Sequence, residues 1–381
     1  MFLWQKVRYF EAARTLNRQI VIKKFTQRIN DMIFYTGSYT QQPSPAKNPG
    51  GAGISCFELD QASGHVKLHS HTEQRNPSYL TISRDRKFLY AVEELTEDHA
   101  PRVISYRIGQ AGNLALVNSQ PLTGDYACHL IIVKDLLLVA NYMTGNALSF
   151  PILKDGSLSP CQQIIQHTGA GPNKARQERA HAHMVYPYQE DHLYIVDLGI
   201  DRAKAYQLNP ETKKWKALPE LDIPIDRGAG ARHMEMDATQ SHAYILSELS
   251  GEIFAFKKAG DGFERIQRIS FVPKDYKGAF GGAAIRLHPY GNFLYASNRG
   301  SDSIAVFKID EVSGMISLIA NDSSGGKTPR DFNIDPSGKW LIAANQDSDT
   351  LVTFRIDQGT GILSLSSETP AGTPVNICWL S

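Results

Sequence analysis

The chain has 381 residues, 42% apolar and 21% charged, with 30 Gly and 19 Pro, the composition of a soluble globular protein built with many turns. Its net charge of +1 gives no reason to expect a nucleic-acid partner. The four cysteines, Cys56, Cys128, Cys161 and Cys378, include no C-x-x-C pair, which argues against a zinc site or disulfide frame and fits reduced thiols in a cytoplasm.

Residues 1–31 resemble nothing that follows. Their first thirty positions hold seven Lys or Arg against one acid, Glu11, and can be drawn as an amphipathic helix. No apolar stretch is long enough for a signal peptide or a membrane span. This segment is expected to be a basic N-terminal extension outside a single domain at 32–381. Three strands are then predicted, at 33–39 (IFYTGSY), 54–60 (ISCFELD) and 65–71 (HVKLHSH), the last two joined by a turn. They lack an inner partner, and the missing piece is predicted at the far end of the chain, where 374–380 (PVNICWL) reads as an inner strand with no second strand after it.

Between these ends the sequence repeats. The plainest copies are 282–310 and 329–357, 47 residues apart. Each has a short apolar strand, a Pro-x-Gly turn, a strand ending in Asn, a polar turn and a third alternating strand. Positions equivalent to Asn298 and Asn345 are Glu93, Asn141, Asp197 and Ser247, which gives spacings of 48, 56, 50, 51 and 47 residues. A period near fifty with short strands marks four-stranded blades, and a blade cannot bury both faces alone. The predicted fold is all-β, a seven-bladed β-propeller with blades starting near 33, 77, 127, 182, 231, 282 and 329. Its ring is closed by the C-terminal strand completing the first blade. Two long loops, 40–53 and 166–180, are candidates for ligand contacts.

The first two strands of a blade form a hairpin, so residues starting the first lie at the same rim as residues ending the second. His181, His183, Arg232, His233, Arg330 and Asp331 are therefore expected to meet Asp197, Glu248, Asn298, Arg299, Asn345, Gln346 and Asp347 at one mouth of the channel, with Arg286 a little deeper. Several arginines with carboxylates and histidines suit a polyanionic or polyhydroxylated small molecule. His or Glu beside Arg can activate water while a guanidinium holds an oxyanion. Competing motifs fail on context. The glycine-rich run at 278–282 opens a strand rather than a helix, and Asp347-Ser348-Asp349 is too short for an EF-hand. No G-x-S-x-G occurs. His181-Ala182-His183 lacks a third metal ligand, so no metal is expected.

At these residues the chain resembles the seven-bladed lactonases of the cycloisomerase-2 type, which include a bacterial 6-phosphogluconolactonase and a fungal carboxy-muconate cyclase. The resemblance spans 33–381 and rests on YTGSYT (35–40), GISCFELD (53–60), AHAHMVYP (180–187), YIVDLGIDR (194–202), GAGARHMEMD (228–237), LSEL (246–249), SNRGSDSIAVF (297–307) and ANQDSD (344–349). It departs at Ala180 and Ala231, where the family commonly carries proline. The resemblance implies lactone hydrolysis or its reverse without metal or organic cofactor. Mapped onto this sequence, the catalytic group is His183, Arg232, Glu248 and Arg299, with His181, Asp197, Arg286 and Asn298 around it. The rim argument adds His233, Arg330, Asn345 and Gln346 as substrate-binding residues. Glu248 or His183 would take a proton from water, and Arg232 or Arg299 would hold the oxyanion. The activity implied is cytoplasmic hydrolysis of 6-phospho-D-glucono-1,5-lactone in the pentose phosphate route. The alternatives are a muconate-type carboxylated lactone as substrate, or a non-catalytic propeller binding sugar or protein. The expected partner is a small sugar-phosphate lactone, with no nucleic acid or membrane; oligomeric state is left open.

Overall fold

The computed structural model describes residues 31–380; the extension expected at 1–31 lies outside them save for its last residue, Asp31, which opens the first strand. Seven antiparallel sheets follow one another around an axis. Blade 1 is ordered Pro374–Trp379, Asp31–Ser38, Ile54–Asp60, Val66–Thr72. The inner three strands of the others are Leu80–Ile82, Phe88–Val92 and Arg102–Ile108 (blade 2); Ala127–Val133, Leu136–Asn141 and Asn146–Pro151 (blade 3); and Ala182–Tyr188, His192–Asp197 and Arg202–Leu208 (blade 4). Then come Ala231–Met236, His242–Ser247 and Glu252–Ala259 (blade 5); Gly282–Leu287, Phe293–Asn298 and Ser303–Ile309 (blade 6); and Pro329–Ile334, Trp340–Asn345 and Thr350–Ile356 (blade 7). A fourth, outer strand completes each, and blade 4 gains a short extra pairing at Ile223–Pro224.

Second strands such as Leu136–Asn141 (LLLVAN) and Trp340–Asn345 (WLIAAN) are buried along their whole length, because a neighbouring blade covers each face. Outer strands such as Leu114–Pro121 are mostly exposed or half-buried. This explains continuous apolar runs inside and polar outer strands in one repeat. The hydrophobic core is correspondingly divided among the blade interfaces. One cluster joins blades 5 and 6 through Tyr244, Ile253, Phe271, Ile285, Leu294 and Phe307, and another joins 6 and 7 through Tyr295, Val306, Phe332, Leu341 and Val352.

A hydrogen bond recurs at these interfaces. The hydroxyls of Tyr35, Tyr90, Tyr244 and Tyr295 donate to the carbonyls of Gly112, Gly156, Gly314 and Gly361 in the next blade, at 2.8, 3.0, 2.9 and 2.8 Å. Gly361 has φ +74, and a Cβ there would stand 2.6 Å from the Phe293 ring, so only glycine brings the acceptor this close. Tyr295→Phe is expected to lower the unfolding free energy by about 1–2 kcal/mol, because a buried carbonyl loses its donor. Urea denaturation would read the loss, with catalytic activity unchanged.

The predicted closure is present. Asp31–Ser38 pairs with Pro374–Trp379 from Phe34↔Trp379 to Ser38↔Pro374, which removes two sheet edges. The tail also ties neighbouring blades. Asn376 Oδ1 accepts from Leu80 N at 3.0 Å, while Asn376 Nδ2 and Ile377 N donate to Asp331 at 2.9 and 3.1 Å.

Candidate active site

Two features repeated in the blades build the site. The first is a β-bulge at the start of inner strands. In blade 4, Ala182 faces Asp197 and Met184 faces Val196, so His183 has no partner. The same irregularity frees Arg232 in blade 5, Arg330 in blade 7, Cys128 in blade 3 and Val375 in blade 1. A bulge re-aims its extra residue, and all five line a small space on the channel axis, together with Ser78 of blade 2. A left-handed residue commonly sets up the turn, as at Asn76, Tyr126, Gly230, Thr328 and Thr373, with φ of 38, 55, 72, 58 and 41°.

The second feature is the residue just past the second strand. Tyr142, Glu248, Arg299 and Gln346 each donate their backbone N–H to the residue before an inner strand, for example Glu248 to Gly230 at 2.7 Å and Arg299 to Gly281 at 2.9 Å, and Glu94, two past Val92, donates likewise to Asn76 in the segment leading to Leu80. The preceding strand-end residues serve the turn instead. Asp197 accepts from His181 N and Gly199 N at 2.8 and 2.9 Å and contacts His167 at 2.6 Å. Asn298 accepts from Gly300 N at 2.9 Å, and Asn345 donates to Ser324 O at 3.0 Å. Asp197, Asn298 and Asn345 are fully buried there and do not line the cavity.

The cavity at this end of the axis has a volume of about 400 Å³. Of the expected catalytic group, His183, Glu248 and Arg299 line it, while Arg232 is buried directly beneath, against Glu248. Of the expected binding residues, Arg330 lines it. Gln346 touches Arg330 from outside, with Oε1 3.5 Å from Nη1. His181 stacks on Tyr142 with ring centroids 4.6 Å apart and lies 3.2 Å from Glu178, so it props the wall. His233 sits below, its Nε2 3.2 Å from Arg232 Nη1. Arg286 is deeper, paired with Asp331 at 2.9 Å and Glu235 at 3.7 Å.

Arg176, Glu94, Tyr142 and Cys128 also line the cavity, with Ser44 and Pro45 from loop 40–53. The residues marked in the repeat, Glu93 and Asn141, stand one position before Glu94 and Tyr142, and equivalence with Glu248 would have found both. Arg176 has no such signal because it comes from loop 166–180. Gln177 anchors that loop, its Nε2 donating to Leu198 O at 2.8 Å and Asp201 at 2.7 Å. Arg176 thereby reaches Tyr142 Oη at 3.1 Å and pairs with Glu248.

Glu248 is the electrostatic hub. Arg299 Nη2 lies at 2.8 Å and Arg232 Nε at 3.0 Å, and Arg176 is the third partner. Burial alone would raise its pKa, but the guanidiniums of Arg299, Arg232 and Arg176 outweigh burial and hold the carboxyl well below its usual range. Burial, then Arg299, pushes Arg232 down to about 10, so it stays charged at neutral pH. Burial and Arg232 hold His183 well below the ordinary histidine value, leaving a neutral imidazole. Among the described residues no group of three or more His, Cys, Asp or Glu is placed to hold a metal ion.

The structure is thus a closed propeller with an arginine-lined well on its axis. Residues 33–379 match the family model described as "Lactonase, 7-bladed beta-propeller", and the chain belongs to that lactonase family. It is 34% identical over 310 residues to the 6-phosphogluconolactonase of Bacillus subtilis, covering 78% of this chain and 84% of that one. It is 32% identical over 305 residues to the 6-phosphogluconolactonase of Formosa agariphila, with the same coverage of 78% and 84%. The solved periplasmic gluconolactonase of Pseudomonas aeruginosa superposes with a TM-score of 0.85 at 28% identity, over 92% of this chain and 99% of that one. The chain is therefore a lactonase, a hydrolase of cyclic carboxylic esters.

Proposed function

We propose that the enzyme hydrolyses 6-phospho-D-glucono-1,5-lactone to 6-phosphogluconate, as a cytoplasmic step of the pentose phosphate route carried by a propeller domain at 32–381. The observation that supports this substrate is the charge balance around the cavity. Four guanidiniums, Arg176, Arg232, Arg299 and Arg330, face two carboxylates, Glu94 and Glu248, while Asp331 at the floor is offset by its own partner Arg286 at 2.9 Å. With His183 neutral, two positive charges remain uncompensated, which matches a phosphate dianion. Arg176, 42% exposed at its side chain, and Arg299 at 19% stand toward the mouth, while Arg232 at 3% and Arg330 at 12% stand at the floor. In this reading the mouth pair meets the phosphate, since planar guanidinium forks fit its oxygens. The floor pair meets the lactone carbonyl and holds the oxyanion formed when water attacks. Glu248 fixes the arginines rather than taking the proton, because three guanidiniums already occupy its oxygens. His183 offers a neutral hydrogen-bonding imidazole beside the reacting carbon. Four free thiols accord with the cytoplasm, although the Pseudomonas relative is periplasmic.

The test compares kcat/KM for 6-phosphogluconolactone, glucono-1,5-lactone and a carboxylated muconolactone. The phosphorylated lactone is expected to be preferred, and Arg299→Ala is expected to reduce its kcat/KM roughly 10- to 100-fold through KM, the value of one charge-assisted hydrogen bond. Glucono-1,5-lactone should be much less affected. Opening of the phosphorylated lactone at the rate in buffer alone would end this reading, and preference for the muconolactone would replace it.

A further inference from the structure

We infer that Glu94 is the general base that activates the attacking water. This assignment rests on the lactone-opening reading but not on the phosphate. Glu94 holds in blade 2 the rim position that Glu248 holds in blade 5, and its backbone N–H is fixed by the Asn76 carbonyl at 3.0 Å. The two are the carboxylates of the cavity wall, yet their surroundings differ. Glu248 receives three guanidiniums. Glu94 Oε2 accepts from Tyr39 Oη at 2.8 Å, and among the described residues its Oε1 has only Arg330, at 3.8 Å. That distance is beyond a hydrogen bond, so Oε1 keeps lone pairs for a water. Glu94 borders both the main cavity and the floor space that holds Arg232, Arg330 and His183, which places it beside the proposed oxyanion position. Its neighbour Glu93 shows the contrast, because a fork of Arg75 Nε and Nη2 at 3.0 and 2.6 Å holds it on the other face.

Tyr39 bonds to Glu94, and the titratable groups that share its two spaces are Tyr126, Cys128, Tyr142, Arg176, His183, Glu248, Arg299 and Arg330 in the cavity, with Tyr79, Arg232, His233 and Asp331 at the floor. Burial keeps the Tyr39 hydroxyl and the Cys128 thiol protonated, and His183 is a depressed base. Asp331, which also borders the floor space, is held by Arg286, Asn376 Nδ2 and Ile377 N at 2.9, 2.9 and 3.1 Å, and Glu248 by three guanidiniums, so Glu94 is left as the proton acceptor. In the step, a water O–H bond breaks and its proton passes to Oε1. The water oxygen bonds to the lactone carbonyl carbon, whose π pair moves onto the oxygen held by Arg232 and Arg330. On collapse the bond from that carbon to the ring oxygen breaks, and the departing oxygen takes the proton back from Glu94. The new carboxylic acid then ionises, releasing one proton to solvent.

Glu94→Gln in the full chain is expected to lower kcat roughly 100-fold, within the range for general bases. KM and 6-phosphogluconate affinity should stay within about twofold, since the exchange keeps the hydrogen bond to Tyr39. The acidic limb of the kcat–pH profile should disappear, and added formate should restore activity to Glu94→Ala. A merely structural role would lower kcat and thermal stability together, leave the limb in place and give no formate rescue. Wild-type kcat in Glu94→Gln, or an unchanged acidic limb, overturns the assignment. If Glu94→Gln does not fold, Glu94→Asp must still show lowered kcat with its acidic limb displaced, and an undisplaced limb overturns the assignment equally. Should wild-type enzyme turn over glucono-1,5-lactone but not its phosphate, the substrate reading fails and the same comparison on the unphosphorylated lactone decides Glu94.

Discussion

Glu248→Gln is expected to reduce kcat/KM about 1000-fold and to destabilise the fold by about 3–5 kcal/mol, the usual cost of stranding buried charges by removing their partner. Arg232 and Arg299 both lean on this carboxylate, at 3.0 and 2.8 Å, with Arg176 on its other oxygen. An amide keeps the shape and loses the charge, so the guanidiniums repel one another and the floor and mouth lose their common anchor. The pH dependence has a definite sign. Because the folded carboxyl sits well below its ordinary value of 4.5, its contribution is present above that value and is lost as pH falls through the folded value. Urea midpoints at pH 7 should therefore separate wild type from variant widely. The gap should close only in strong acid, and an equal gap at all pH values would show that Glu248 does not act through its charge.

Arg232→Gln should lower kcat by about 10² to 10³-fold with little change in KM, the effect of removing one oxyanion donor. The side chain is only 3% exposed and is gripped by Glu248, His233 Nε2 at 3.2 Å and the Ala283 carbonyl. It cannot swing to follow a ground-state ligand, so its benefit is concentrated on charge that develops during reaction. Single-turnover kinetics would distinguish this from slowed product release. A variant with raised KM and normal kcat would place Arg232 in ground-state binding instead.

The architecture was legible because period and polarity survive in the repeat even where identity does not. LLLVAN, FLYASN and WLIAAN show the fully buried second strand, and PVNICWL at the chain end shows the blade it completes. The site was legible in outline only. Histidine and arginine at inner-strand starts were visible, but the bulge that turns Arg232 to Glu248 while His233 stays in the ladder opposite Leu246 is a backbone event without a residue signature. Alternation past the strand end has the same effect. Asn298 and Arg299 are neighbours in sequence, yet one closes a turn and the other lines the cavity. Arg176 depends on a loop conformation held by Gln177 and Asp201, which no periodicity announces.

The bulged residues of blades 1, 3, 4, 5 and 7 stand outside the ladder, and their side chains line the space on the channel axis. The scaffold thus presents interchangeable sockets, so exchanging their occupants redefines chemistry with little effect on architecture. In this chain Cys128 and Val375 fill two of them with uncharged groups. Those are the places where a new substrate preference could be installed while the arginine–glutamate hub is kept intact.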